Sequence, residues 1–298
     1  MARIQVGHVT TFHDPEAIDT SLNALFEDRE NNLWVGFFGK GLARFHDGHF
    51  EHLTSTGRVS AIAQSSDGAL WVAWDGDGIS RILHGITTHF STANGLPNDH
   101  VMCLYVDSDG DVWVGTASGG LSRIRGSYVM SWTPDQGLPD STVGSIIEDN
   151  ESNLWVGGDY GISRISKSEL SESGKSHTYT LHPQQFGTED GLRSRETVYG
   201  SMPSEWKDAR GRLWFATIKG AAVIDPAHIP VNTVTPPVWI ESVVFDSKTI
   251  LPLNGMRLGR GSGNLEFSFT APGFVAPQHE VFRYRLIGFD RDWISAGT

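Results

Sequence analysis

Few residues in this chain have the type and spacing that chemistry needs. His46, His49 and His52 stand three apart around a hairpin, and imidazoles that dense could ligate a metal. Two of them should sit on an outer, wet strand, however, which favours solvated histidines over a metal site. Asp107-Ser108-Asp109-Gly110-Asp111 sets carboxylates at alternate positions, as a calcium loop does. An EF-hand would continue with Gly and Glu at its sixth and twelfth positions, where this chain has Val112 and Ser118. A tight turn shaped by Asp and Gly is the better reading. The single cysteine, Cys103, lies in the apolar run Val101-Met102-Cys103-Leu104-Tyr105 and reads as a small buried hydrophobe, with nothing nearby to stabilise a thiolate. No Gly-x-Ser-x-Gly elbow, His-Glu-x-x-His helix or P-loop occurs. No catalytic set, metal or cofactor is therefore expected.

The elements that would position any site announce themselves by repetition. An acidic turn, a hydrophobic residue and then Trp-aliphatic-small recurs five times: Leu33-Trp34-Val35-Gly36, Leu70-Trp71-Val72-Ala73, Val112-Trp113-Val114-Gly115, Leu154-Trp155-Val156-Gly157 and Leu213-Trp214-Phe215-Ala216. A period of roughly forty residues with four short strands per unit predicts an all-β fold, a β-propeller, because a unit that cannot bury its own face must stack on copies of itself. Residues 20–54 show one blade in full. Leu22 to Phe26 is a first strand, Leu33 to Gly36 a second, Gly41 to Phe45 a third, and Asp47-Gly48 turns into an alternating fourth strand, His49 to Leu53. A Gly and an Arg recur in the third strands (Arg44, Arg81, Arg123, Arg164), where an ion-pairing role suits them better than a ring of ligand contacts.

Residues 1–12 parallel the third and fourth strands, Leu42 to Leu53. They are expected to be a partial blade of a longer propeller, or ring-closing strands, with 8–12 able to supply the fourth strand that blade five lacks. Repeats then run over 20–228. Residues 229–237 carry a proline-rich joint (Thr235-Pro236-Pro237), and a second β domain occupies 238–298.

Bulk properties narrow the function classes. With 23 Lys and Arg against 35 Asp and Glu, the formal net charge of −12 argues against nucleic acid, which wants clustered cations. No apolar run approaches the ~20 residues of a membrane span, and the first residues lack the apolar core of a secretory signal.

Propeller topology places the loop before the inner strand and the loop between the second and third strands at one end of every blade. There the sequence offers Phe38, Trp74, Asp75, His100, Asp159, Tyr160, Arg195 and Lys219 as candidate ligand-binding residues. Aromatic platforms beside carboxylates and amides suit a sugar, whose C–H faces stack while its hydroxyls are hydrogen-bonded. Polar loops with a few packing aromatics are the competing reading. Trp74 is the first choice, because a loop Trp followed by Asp75 is hard to justify as core.

Asp107 to Thr116 followed by Gly119-Gly120-Leu121-Ser122-Arg123, with the connectors Asn94-Gly95-Leu96-Pro97 and Gln136-Gly137-Leu138-Pro139, resembles the two-component regulator propeller repeat. The stretch from Asp190 to Pro226 is similar to that family's closing repeat. Asn264 to Phe269 and Phe282 to Trp293 resemble the three-tyrosine β-sandwich that follows such propellers. Tyr284 matches one of its tyrosines, Phe282 replaces another aromatic, and the domain looks cut short at Thr298. The resemblance implies the extracytoplasmic, periplasmic sensor part of a membrane-anchored hybrid histidine-kinase receptor. It would bind a carbohydrate or other small polar ligand, couple that to a homodimer through the sandwich, and carry no enzyme of its own in this stretch. The rivals are a propeller-type lyase or lactonase, whose inner strands would bring histidines and carboxylates together, and a protein-interaction scaffold.

Overall fold

The computed structural model describes all residues except 7, 18–19, 175–178, 230–236, 253–254, 260–263, 273–281 and 298. Each copy of the repeated phrase builds one antiparallel sheet, and together the sheets form a propeller. After a hairpin of β1 (Ala2–Gln5) and β2 (His8–Thr11), blade one comprises β3 (Leu22–Glu27), β4 (Leu33–Phe37), β5 (Leu42–His46) and β6 (His49–His52). Blade two is β7 (Val59–Gln64), β8 (Leu70–Trp74), β9 (Gly78–Leu83) and β10 (Ile86–Phe90). Blade three is β11 (Val101–Val106), β12 (Val112–Thr116), β13 (Leu121–Arg125) and β14 (Tyr128–Trp132). Blade four is β15 (Ser145–Glu148), β16 (Asn153–Gly157), β17 (Ile162–Ser166) and β18 (Gln184–Phe186), with the helix α1 (Lys167–Ser173) between its last two strands. Blade five has three strands, β19 (Glu205–Lys207), β20 (Leu213–Thr217) and β21 (Gly220–Ile224).

The phrase works because its parts bond to one another. In the turn before each second strand an Asp carboxylate accepts the indole N–H six residues on: Asp28 from Trp34, Asp107 from Trp113 and Asp149 from Trp155, all at 2.8 Å, and Asp208 from Trp214 at 3.1 Å. Blade two substitutes the Ser65 hydroxyl, which accepts from Trp71 at 2.9 Å and donates to Asp67 at 2.5 Å. The third-strand arginine lies directly opposite the tryptophan in register. Arg81, Arg123 and Arg164 stack over Trp71, Trp113 and Trp155 at 5.7–5.9 Å while pairing with Asp67, Asp111 and Glu151. Those arginines belong to the scaffold.

Blades join by packing one blade's tryptophan face against the aliphatic second strand of the next. Trp71 is buried with Val112 and Val114, Trp113 with Leu154 and Val156, and Trp155 with Leu213 and Phe215. Close approach needs small residues at the joints. A Cβ on Gly115 would run into the Val143 carbonyl and come within 2.5 Å of the Cys103 sulfur. The inner strands β3, β7, β11, β15 and β19 neighbour each other in that order. Met202 completes the circle: its N–H donates to the Asn23 carbonyl at 2.8 Å, its carbonyl accepts from Leu25 at 3.2 Å, and its side chain packs against two of the core clusters.

The N-terminal hairpin does not complete blade five. β2 pairs with β1 over four residue pairs, and Phe12 meets Phe45 edge-on at 4.8 Å. Asp14 and His52 bond at 2.8 Å. The segment is thereby fixed on blade one, because its aromatic and its acid find partners there. Blade five's tryptophan face stays open, with Trp206 66% exposed. Trp206→Ala is accordingly expected to change unfolding free energy by no more than about 0.5 kcal/mol, as surface substitutions do; urea denaturation measures this.

A second compact unit, Pro230–Thr298, follows the first, Met1–Ile229. It contains the sheet β23 (Lys248–Ile250), β22 (Trp239–Phe245), β24 (Leu265–Thr270) in that order, and the pair β25 (Phe282–Tyr284) and β26 (Ile294–Gly297). Most of the expected joint at 229–237 lies outside the described residues.

Candidate ligand site at the channel mouth

In three blades, the residue after the second strand is clasped to the residue leading into the inner strand. Phe38, Asp75 and Ala117 donate their N–H groups to the carbonyls of Ser21, Arg58 and His100 at 2.9–3.0 Å, and in blade five Ile218 donates at 3.4 Å to Glu196, well ahead of β19. Side chains at these paired positions therefore gather at one end of the inner-strand circle. Between blades the same positions touch again, Phe38 opposite Arg58 and Asp75 opposite His100.

The result is a continuous cluster across three blades. The Arg58 guanidinium lies 4.4 Å above the Phe38 ring and donates through Nη1 to Asp75 Oδ2 at 2.6 Å. The other Asp75 oxygen bonds His100 Nδ1 at 2.8 Å. Phe38 and His100 are largely exposed, whereas Asp75 is held inside, its side chain 20% accessible. Asp75 is thus the half-buried anchor that orients one cation and one imidazole, each with a further nitrogen unspent among the described residues. On the far side of the mouth, Asp159 Oδ1 accepts from the Tyr199 hydroxyl at 3.0 Å, and Asp140 accepts from the N–H groups of Asp159 and Tyr160 at 2.6 and 3.1 Å. That loop presents Tyr160, 66% exposed. Burial and then the Asp159 carboxylate raise the Tyr199 hydroxyl above the usual phenol range, so it stays a donor.

Of the residues expected here from the sequence, Phe38, Asp75 and His100 form one group, and Asp159 with Tyr160 forms another. Arg195 is spent on Glu189 at 2.9 Å, and Lys219 is exposed on the loop after β20. Trp74 has to be corrected. It is the last residue of β8, half-buried against the core, with its indole N–H on Ser80 at 3.0 Å. The strand runs one residue further than the repeated phrase suggests, which turns this ring inward. Arg58, just before an inner strand, falls on the same face by strand order alone; what singles it out is its contact with Phe38 and Asp75.

The other chemical candidates are committed elsewhere. Asp107 accepts the N–H groups of Asp109 and Asp111 at 2.9 Å and the Trp113 indole, and it pairs with Lys167. Burial alone would raise this carboxyl, but those partners outweigh it and hold Asp107 below the usual range. Burial pushes the Cys103 thiol well up, so it is no nucleophile. His52 faces Asp14, apart from His46, which pairs with Asp47 at 3.3 Å. Among the described residues no helix is long and apolar enough to cross a membrane.

The family model for the two component regulator propeller matches residues 95–118 and 137–160, each running from a Gly-Leu-Pro connector past the second strand. The chain carries two-component regulator propeller repeats. Solved structures agree on the fold. The extracellular domain of the hybrid two-component system BT3049 from B. thetaiotaomicron is 17% identical with a TM-score of 0.59, over 98% of this chain and 46% of that one. That of BT4673 from the same organism is 16% identical with a TM-score of 0.52, over 98% and 47%. Virginiamycin B lyase from Staphylococcus aureus is 19% identical with a TM-score of 0.52, over 73% of each chain. The repeat chain spans about half the length of the two extracellular domains. No curated protein matches it.

Proposed function

We propose that this repeat propeller is the ligand-recognition part of an extracellular, periplasmic two-component sensor, and that it binds a small polar ligand or oligosaccharide at the channel mouth. The observation that carries the reading is the Phe38–Arg58–Asp75–His100 cluster. It joins loops from three blades, is exposed, and keeps unspent polar groups beside an aromatic face, as carbohydrate sites require. The extracellular domains of hybrid two-component systems among the structural neighbours support the sensor assignment over an enzymatic one. Binding would be passed on through the second unit, as a three-tyrosine sandwich, and a homodimer formed through it. Calorimetric titration of the full chain with a glycan panel is the test. Phe38→Ala and Asp159→Ala are each expected to weaken a bound glycan at least tenfold. Unchanged affinity in both variants would place the ligand elsewhere, and turnover of the ligand would favour the lyase alternative.

A further inference from the structure

Resting on that reading, we propose that the mouth site selects an acidic sugar: a ring bearing one carboxylate beside hydroxyls, a uronate.

Around Arg58 the bonding capacity is asymmetric. The carboxylate there, Asp75, already serves Arg58 through one oxygen and His100 through the other. On Arg58, Nη1 is spent on Asp75, and Nε is sealed from solvent without a partner. Nη2 differs from both: it has no partner among the described residues and is not sealed. A Cβ built on Gly200 would have this nitrogen as its neighbour at 3.5 Å, so the glycine leaves room beside it. Gly200 holds φ at +79°, which disfavours any larger residue. An accessible guanidinium donor, oriented by a half-buried anion, calls for an anionic acceptor, because charge-assisted hydrogen bonds are about twice as strong as neutral ones.

The neighbouring groups define the rest of the ligand. His100 spends Nδ1 on Asp75, and its other ring nitrogen, Nε2, is the one left to bond a sugar hydroxyl. The imidazole is on the solvent side, its side chain 61% accessible. Phe38 carries the guanidinium on one face and is 53% exposed, so a flat C–H face can rest against it. Carboxylate on Arg58, hydroxyl on His100 and ring face on Phe38 together describe a uronic acid. A neutral hexose would leave the Arg58 donor with only a weak acceptor.

The test compares galacturonate and glucuronate oligomers with galactose and glucose oligomers of equal length, titrated calorimetrically into the full chain. Acidic oligomers are expected to bind at least tenfold tighter, with affinity falling as salt is raised. Arg58→Met should erase that preference, bringing acidic oligomers to the affinity of their neutral counterparts in the same variant. Arg58→Lys, which keeps the charge and stem but not the planar fork, should retain part of it, and it guards against a folding defect in the first variant. Equal affinity for acidic and neutral oligomers, or a preference that survives Arg58→Met, would overturn the inference while leaving the mouth as a polar-ligand site. Binding insensitive to Phe38→Ala and Asp159→Ala as well would overturn both readings.

Discussion

Replacing Lys167 by Met is expected to destabilise the propeller by about 3–5 kcal/mol at neutral pH, the usual cost of removing one partner from a buried ionic cluster. Lys167 opens the helix after the third strand of blade four and reaches back to the turn of blade three. There its ammonium meets Asp107 at 2.9 Å, Asp109 at 2.6 Å and Glu148 at 2.9 Å. The Asp107 side chain is fully inaccessible and that of Glu148 nearly so. Glu148 also accepts the Ser108 N–H and hydroxyl at 2.8 and 2.9 Å, so the same charge fixes both blades. Burial opposes the charge on Lys167, but its three acids win and raise its pKa.

The pH dependence of that loss has a definite sign. Asp107 is held below its ordinary carboxylate value, so the stability it contributes is present above pH 3.8 and fades as pH falls through the lowered value. The gap between wild type and Lys167→Met should therefore be full at pH 7 and shrink in acid, where the carboxylates no longer need a cation. Urea midpoints at pH 7 and pH 3.5 check this. A gap below about 1 kcal/mol at pH 7 would assign the cluster to the class of weak surface pairs.

What the sequence revealed depends on how far a feature's partners lie along the chain. Strands and scaffold tryptophans were legible because the Asp–Trp bond spans six residues within one phrase, as from Asp107 to Trp113. The mouth was legible as a place, since strand order alone sets the loops at one end, but individual side chains were less so. Trp74 looked like loop because only strand length decides which way it turns, and strand ends are set by tertiary pairing, here with Val59 and Gly78. Arg58 owes its meaning to Phe38 and Asp75, on two other loops. Residues 8–12 parallel a fourth strand in sequence, but the parallel does not say which blade they join, and Phe12 and Asp14 settle on blade one. Met202 and Glu205 sit in a segment that breaks the repeat, so no copy elsewhere in the chain announces them.

Glu205 supplies the second large effect, with the opposite sign. As a whole residue it is only half-buried, but its carboxyl points inward, bonded by the Ser204 hydroxyl at 2.5 Å and by the Ile146 N–H of the neighbouring inner strand. Burial outweighs both bonds and pushes the carboxyl up to about 7 from 4.5. A raised acid favours the folded state while it is protonated. Its contribution is full below about pH 4.5, where both states hold the proton, and is lost as pH rises toward 7. At 1.36 kcal/mol per unit the loss is at most about 3 kcal/mol, and partial access of water reduces it. Glu205→Gln keeps the shape without the titration. The variant is expected to match wild type near pH 4.5 and to exceed it above pH 7 by up to that amount, with most of the divergence between. Urea denaturation of the two chains at pH 4.5, 6 and 8 reads it directly. Parallel stability across the three values would mean that Glu205 ionises freely, through water entering between blades four and five.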